Sequence, residues 1–399
     1  MHMLTVMIVR LAMGTTVSIG QAIGAGDRKQ AAKDIGNTVT LFMAVSIALM
    51  AVLLVLVHPI ISAMSTPTEA VKGTSAYLTI CFIGVPFITA YNIISSIFRG
   101  MGDSESPMYF IAVACAANIG LDYLFMGILR LGPAGAALGT TLSQAVSVAV
   151  SLTVILKRKK IVLKEDDFKP YRPVMGKILK IGVPIAFQDG LIQIAFIIIT
   201  IIANQRGLND AAAVGIVEKV IGFLFLIPSS MLSTVSALGA QNIGAGKPER
   251  AFQTLRYAIL LTVGFGMLSS IIIQFAAEPI VSLFTDRNAK GGADVIRLGG
   301  QYLRGYIWDS IFAGIHFSFS GYFCACGKSG ISFLHNIIAI TLVRIPGVYL
   351  TSTLFPDTLF PMGLATAAGS LLSAIICVVA FTILNRKERQ KCTSHLLRK

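Results

Sequence analysis

Few residues of this chain are equipped for ion or proton chemistry, and most of them stand inside long apolar runs. There an ionisable side chain costs about 3 kcal/mol on insertion scales, so each one is a functional candidate. Asn118 and Asp122 are four residues apart. On a helix they lie one turn apart on one face and can hold an amide oxygen and a carboxylate toward one hard cation. Thr140 belongs with them: Asp122 lies about nine residues before the turn at Arg130 to Pro133 and Thr140 about eight after it, which sets the two at similar depth. The competing reading is a buried polar cluster that knits two helices together. In the second half, Asp189 sits about 12 residues into its apolar run and Asp309 about 13 into its own, so either could carry a proton near the midplane. Gln193 is one turn from Asp189, and Tyr306, Asp309 and His316 follow one helical stripe that could line a cation or substrate path. Structural hydrogen bonding, or a kink near Pro184, competes here. Glu218 and Lys219 are neighbours and point about 100° apart, which favours a structural role. Trp308 and His316 offer π surfaces for an amphipathic ligand, against plain packing.

Enzyme chemistry has no foothold. HExxH and GxSxG are absent, no acid and base flank a nucleophile, and no phosphate-binding spacing accompanies the glycines. The six cysteines form no CxxC pair and no histidine stands at ligand spacing from Cys324 and Cys326, so they read as packing residues. No cofactor is expected; the coupling ion would be H⁺ or Na⁺, with Asp122 the one place for a metal ion.

The elements that must hold these residues are membrane spans. With 55% apolar and 13% charged residues and a mean hydropathy of +0.77, the chain has too little polar surface to clothe one soluble core. About 20 apolar residues cross the hydrocarbon layer, and such runs recur at 38–62, 74–98, 107–129, 134–156, 177–203, 211–238, 252–285, 296–325, 330–353 and 360–385, with a shorter stub at 3–23. Their lengths suit helices rather than the strands of a barrel. The net charge of +14 follows the spans: segments on alternate sides collect 23 of the 33 Lys and Arg residues, against six on the other side. The positive-inside rule makes the rich side cytoplasmic, together with the C-terminal tail RKERQK. That tail reads as an anchor for anionic lipid headgroups, and nucleic acid is not an expected partner.

QAIGAGDRKQA at 21–31 returns as QNIGAGKPERA at 241–251, and HPIIS at 58–62 as EPIVS at 278–282, both offset by 220. The offset then slips to 225, pairing Gly102 with Gly327 and Ser104 with Ser329. An offset worth six helices preserves orientation, so the chain is a parallel repeat of two lobes around a central cleft. Each glycine phrase should close one helix through a left-handed glycine, with Pro248 in the first turn of the next. The division expected is an N-lobe at 1–160, a cytoplasmic linker at 161–176, a C-lobe at 177–385 and a basic tail at 386–399. About 67 residues precede the phrase in the second lobe from Lys177, but only 23 precede Gly24. Symmetry therefore calls for about 44 more residues, a first helix and the start of the second, ahead of Met1.

The order GQAIGAGD, RGMGDSESP (99–107), NIGLD (118–122), GAALGTTLSQ (135–144), KIGVP (180–184), AQNIGAGKPERA and GLATAAGSLLS (363–373) resembles the prokaryotic branch of the multidrug and toxic compound extrusion family. The resemblance implies an all-α polytopic membrane protein of two six-helix lobes, about eleven of the twelve helices being present here. It also implies alternating access and export of amphipathic, often cationic compounds in exchange for Na⁺ or H⁺. An Asn and an Asp four apart on helix 5 and a Thr on helix 6 line the N-lobe cation site in that family, positions matched by Asn118, Asp122 and Thr140. Its helix 1 Asp has no counterpart here, and Asp189 and Asp309 do not align residue for residue with its C-lobe acids. The function expected is a cation-coupled antiporter of the inner membrane, monomeric, working among membrane lipids on a small amphipathic substrate. The alternatives are a lipid or lipid-linked oligosaccharide flippase, for which Arg10, Arg304 and Arg344 are few and scattered, and a non-transporting fragment or scaffold.

Overall fold

The computed structural model describes residues 2–63, 67–158, 163–289 and 291–396. Of the expected linker, residues 161–162 lie outside that set, as do 397–399 of the tail. The first half is built from α1 (His2–Leu11), α2 (Met13–Gly24), α3 (Arg28–Val55), α4 (Val57–Ala63), α5 (Thr68–Ile83), α6 (Val85–Gly100), α7 (Glu105–Asp122) and α8 (Gly132–Arg158). The second half follows with α9 (Arg172–Arg206), α10 (Leu208–Leu224), α11 (Leu226–Gly244), α12 (Pro248–Ser282), α13 (Gly292–Tyr306), α14 (Asp309–Ala325), α15 (Ser329–Ala339), α16 (Ile345–Leu354) and α17 (Phe360–Leu396). No strand occurs among the described residues, because backbone within hydrocarbon must satisfy its own hydrogen bonds and the helix does so within one segment.

Among the described residues nine helical runs have the length and composition to cross a membrane; α5 and α6, bent by 40° at Gly84, would make a tenth. Two details differ from expectation. The segment read as a stub is a 20-residue run, Thr5–Gly24, long enough to span. The span expected at 296–325 is instead two helices of 15 and 17 residues, α13 and α14, meeting at Ile307 and Trp308. The first of them carries Arg297 and Arg304, and Asp309 opens the second, so the apolar run is interrupted by charge where the helix breaks.

The repeated phrases do what their glycines require. Gly26 and Gly246 adopt φ +74° and +69°, the left-handed region that a side chain with a Cβ enters at a cost of about 1–2 kcal/mol. Beyond each of them an amide reaches back five residues, Asp27 N–H to the Ala22 carbonyl at 3.0 Å and Lys247 N–H to that of Asn242 at 2.8 Å, the Schellman closure. The pair at offset 225 repeats the device: Gly102 and Gly327 are left-handed, with Asp103 bonded to Phe98 at 2.9 Å and Lys328 to Phe323 at 2.7 Å. Pro248 begins α12, where its missing N–H costs nothing.

The chain divides into two compact units, Met1–Val183 with Gly244–Gly246, and Pro184–Ile243 with Lys247–Lys399. The division falls inside α9, at Pro184, whose ring removes one helix hydrogen bond. The opening turns of α9 therefore belong to the first unit, where Gly14 and Gly182 let the backbones of Ile178 and Leu11 approach closer than any Cβ would allow. The basic segment before α9 is docked rather than loose. Asn37 of α3 donates from its amide to the Asp167 carbonyl at 3.1 Å and accepts the Tyr171 N–H at 2.7 Å. Thr40 donates to the Phe168 carbonyl at 2.8 Å, and the Lys33 ammonium lies 3.6 Å from the centre of the Tyr171 ring. On the surface of the segment, the hydrogen bond and charge of Lys169 hold the Asp166 carboxyl below its usual range.

Candidate functional site

In the first unit, α7 and α8 pack through small residues spaced four apart on α8. Gly135 lies against the Phe125 backbone, Gly139 lies under the Asp122 carboxylate, and the Ser147 hydroxyl donates to the Phe110 carbonyl at 3.0 Å. Small residues at this spacing let two membrane helices approach closely. A Cβ on Gly139 would collide with Asp122 Oδ1. That oxygen is buried and has no hydrogen-bond partner, and one turn earlier the Asn118 amide nitrogen is in the same condition. Asp122 is the last residue of α7, and a π-helical segment, Tyr123–Ile128, follows at once; single π turns of this kind recur at functional positions in helices. Thr140 is placed differently from its two expected partners. It is exposed, and its hydroxyl donates to the Ala136 carbonyl of its own helix at 3.0 Å. One residue is worth about 100° of helix, so Gly139 rather than Thr140 faces the carboxylate.

The second unit holds a different arrangement. Arg344, at the end of a π-helical segment Ile340–Arg344, places Nη2 2.9 Å from Asp309 Oδ2 and donates to the Tyr306 hydroxyl at 3.1 Å. Asp309 and Tyr306 are wholly buried and Arg344 nearly so. The Arg344 guanidinium also lies 5.6 Å from the Phe196 ring centre and 6.0 Å from that of Tyr306, within cation–π range. Gly369 of α17 makes room for it, since a Cβ there would stand 2.8 Å from the Arg344 Cβ. Asp309 and Tyr306 thus come together, as their stripe suggested, but around an internal cation that spacing did not reveal. His316 is buried farther along α14; its ring centre is 5.6 Å from that of His335, which bridges the Ser320 and Ser373 hydroxyls at 2.9 and 2.6 Å.

The remaining expectations sort themselves by burial. Asp189 is buried five residues beyond Pro184, beside Gln188, whose amide is wholly buried with neither polar atom hydrogen-bonded; Gln193 is half-buried. Glu218 is half-buried and accepts the Thr200 hydroxyl at 3.2 Å, whereas Lys219 is exposed. Trp308 is partly exposed at the break between α13 and α14. The sequence reading missed Asp34. It assigned residues 24–37 to a loop, but the Asp27 carboxylate accepts the Gln30 N–H at 2.9 Å and starts α3 at Arg28. Asp34 is therefore inside the helix and wholly buried, its two oxygens accepting from the Ser18 hydroxyl at 2.7 Å and the Gln30 amide at 2.6 Å. The aspartate N-cap three residues ahead of Gln30 is the signal that finds it.

The carboxylates can be ranked by what already satisfies them. Asp34 has two neutral donors; Asp309 has a guanidinium on Oδ2, its Oδ1 being buried without a hydrogen-bond partner; Asp122 has a buried Oδ1 without a hydrogen-bond partner and makes no ion pair among the described residues. An unanswered buried polar atom costs about 1–3 kcal/mol, and it is the first place to look for a ligand. Its donor set, a carboxylate and an amide, suits a proton or a hard cation bound through oxygen. Among the described residues no group of three His, Cys, Asp or Glu is placed to hold a metal ion.

Comparison with known proteins gives this geometry its setting. The MatE family model matches residues 1–124 and 184–350. The probable multidrug resistance protein YpnP of Bacillus subtilis is 28% identical over 345 residues, 86% of this chain and 76% of that protein. A second probable multidrug resistance protein of the same organism, YoeA, is 26% identical over 350 residues, 86% and 74% of the two chains. A crystal structure of MATE in complex with MaL6 superposes with a TM-score of 0.90 over 96% of this chain and 86% of that one, at 20% identity, a likeness of fold alone. The chain accordingly belongs to the MatE family and is a multi-pass membrane transporter, not an enzyme.

Proposed function

We propose that this protein is a cation-coupled antiporter that exports an amphipathic, cationic compound across the inner membrane by alternating access, its C-terminus lying in the cytoplasm. Asp122, with Asn118 beside it, binds the coupling ion, Na⁺ or H⁺. The observation that carries the reading is a contrast in counter-charge: each carboxylate has one buried oxygen without a hydrogen-bond partner, but Asp309 has Arg344 at 2.9 Å, whereas Asp122 makes no ion pair among the described residues. An acid whose charge is met internally gains little from a second cation, while an unmet one in a low-dielectric site is worth several kcal/mol to any cation that reaches it. Binding there alters the charge on the α7 and α8 pair, and differential affinity for the ion between two conformations is what couples its gradient to transport. The relatives' names, multidrug resistance proteins, support the substrate class. A pyrophosphate-bearing lipid would call for free cationic side chains, yet Arg304 is held 3.2 Å from Glu278 and Arg344 is committed to Asp309.

Dye efflux from proteoliposomes under an imposed Na⁺ or H⁺ gradient tests the reading. Asp122→Asn keeps shape and removes charge, so gradient-driven efflux is expected to collapse while folded yield persists; Asn118→Ala is expected to weaken it less. Full efflux by Asp122→Asn would exclude Asp122 as the coupling site. Export of anionic in place of cationic dyes would overturn the substrate class.

A further inference from the structure

A pocket of about 220 Å³ lined by apolar side chains opens in the first unit between α3, α6, α8 and the basic segment before α9. Ten aliphatic, aromatic or Met side chains line it, among them Val39, Ile97, Leu152 and Ile155 from the helices and Leu163 and Phe168 from the segment. It lies where two core clusters meet at Met101, one built on Ile35 and Ile97, the other on Ile94 and Phe98. Ordered water needs several polar partners, and the lining side chains supply none, which favours hydrocarbon as the occupant. Its two exposed lining side chains mark the mouth. Leu152, 46% exposed, stands on a membrane span, and Phe168, 36% exposed, stands on the basic segment. The mouth therefore opens between a membrane span and the basic segment. Residues 157–180 carry nine Lys and Arg against three acids, Glu165, Asp166 and Asp167, which stand between Lys164 and Phe168; Lys157 follows Ile155 by two positions, and the exposed Lys164 adjoins Leu163. Lys169, next to Phe168, spends its charge on Asp166 at 2.6 Å, which leaves Lys164 as the nearer cation to test.

We propose that this pocket holds an acyl chain of an anionic phospholipid from the leaflet the charge bias assigns to the cytoplasm, with its headgroup on the basic segment. Hydrocarbon inside and cations at the rim fit that one molecule. A zwitterionic lipid leaves the cations unanswered, and a soluble anion leaves the pocket unfilled. Because the segment is itself hydrogen-bonded to Asn37 and Thr40 of α3, bound lipid would clamp it against the first unit. The proposal does not depend on Asp122 being the coupling site.

The test uses the full chain with Trp308→Phe, which removes the single native tryptophan, and Phe168→Trp as a reporter at the mouth. Reconstituted into phosphatidylcholine with increasing phosphatidylglycerol, either lipid brominated on its chains, the reporter is expected to reach half-maximal quenching at a roughly fivefold lower mole fraction of brominated phosphatidylglycerol, the preference that one nearby basic group supplies. Lys164→Glu should abolish the preference without changing overall yield. Equal quenching by the two lipids, or a preference untouched by Lys164→Glu, overturns the proposal. The unsubstituted chain, released from an equal mixture of the two lipids into native mass spectrometry, should retain phosphatidylglycerol; retention of both alike, or of neither, also overturns it.

Discussion

Removing the Arg344 guanidinium by Arg344→Met strips Asp309 of its counter-charge without opening a large void. At 2.9 Å and an effective dielectric near 20, the attraction is about 6 kcal/mol. Much of that repays the desolvation of two buried groups, and loss of one partner from such a pair costs about 3–5 kcal/mol. The Tyr306 hydroxyl, 3.1 Å from the guanidinium, loses a charged donor and adds about 1.5 kcal/mol. Asp309→Leu should be as harmful, because it leaves the guanidinium buried among Phe196 and Tyr306. The double variant removes both charges, and replacing a buried pair by apolar side chains is neutral or better in comparable cases. Each single variant is therefore expected to lower the thermal midpoint in detergent and the monodisperse yield, and the double variant to recover most of the loss, a coupling of several kcal/mol for two side chains in contact. A double variant that simply adds the two losses would refute the pairing as the reason these residues are buried together.

Three further outcomes follow from the same packing. Gly139→Ala drives a Cβ into Asp122 Oδ1, so it should abolish coupling at a stability cost of about 1–3 kcal/mol, measured by efflux and thermal midpoint; unchanged coupling would mean that the carboxylate does not lie over Gly139. Gly26→Ala and Gly246→Ala should each cost about 1–2 kcal/mol through the left-handed backbone, with Asn tolerated better than Ala in thermal unfolding. Protease added outside intact cells should leave residues 157–180 uncut, and in inside-out vesicles Asn37→Ala, which frees two linker hydrogen bonds, should speed cleavage there. Cutting from outside would reverse the topology.

Sequence pattern revealed the large-scale organisation because hydropathy, charge sidedness and glycine closure are local or additive. Gly26, Gly102, Gly246 and Gly327 could be placed from two short repeats, and all four are left-handed. The candidate site was only partly legible. The spacing of Asn118 and Asp122 puts them on one face, but depth counted from a turn cannot fix the rotation of α8, and a single step of helix decided between Thr140 and Gly139. Arg344 is 35 residues from Asp309 in sequence, so their pairing belongs to tertiary packing and leaves no periodic trace. Asp34 was lost for a different reason: charges near a span's end look like loop unless the capping residue, here Asp27, is read first.

Whether Asp122, rather than Asp34 or the Arg344-paired Asp309, binds the coupling ion is decided by binding measurements more cleanly than by transport. Titration of purified protein with Na⁺ at fixed pH, and of pH at fixed Na⁺, should give a saturable signal in the unsubstituted chain. The account predicts that Asp122→Asn abolishes it, while the double variant Asp309→Leu with Arg344→Met retains it. A signal that survives Asp122→Asn and disappears with the Asp309 and Arg344 pair would contradict the account and move the coupling ion to the second unit.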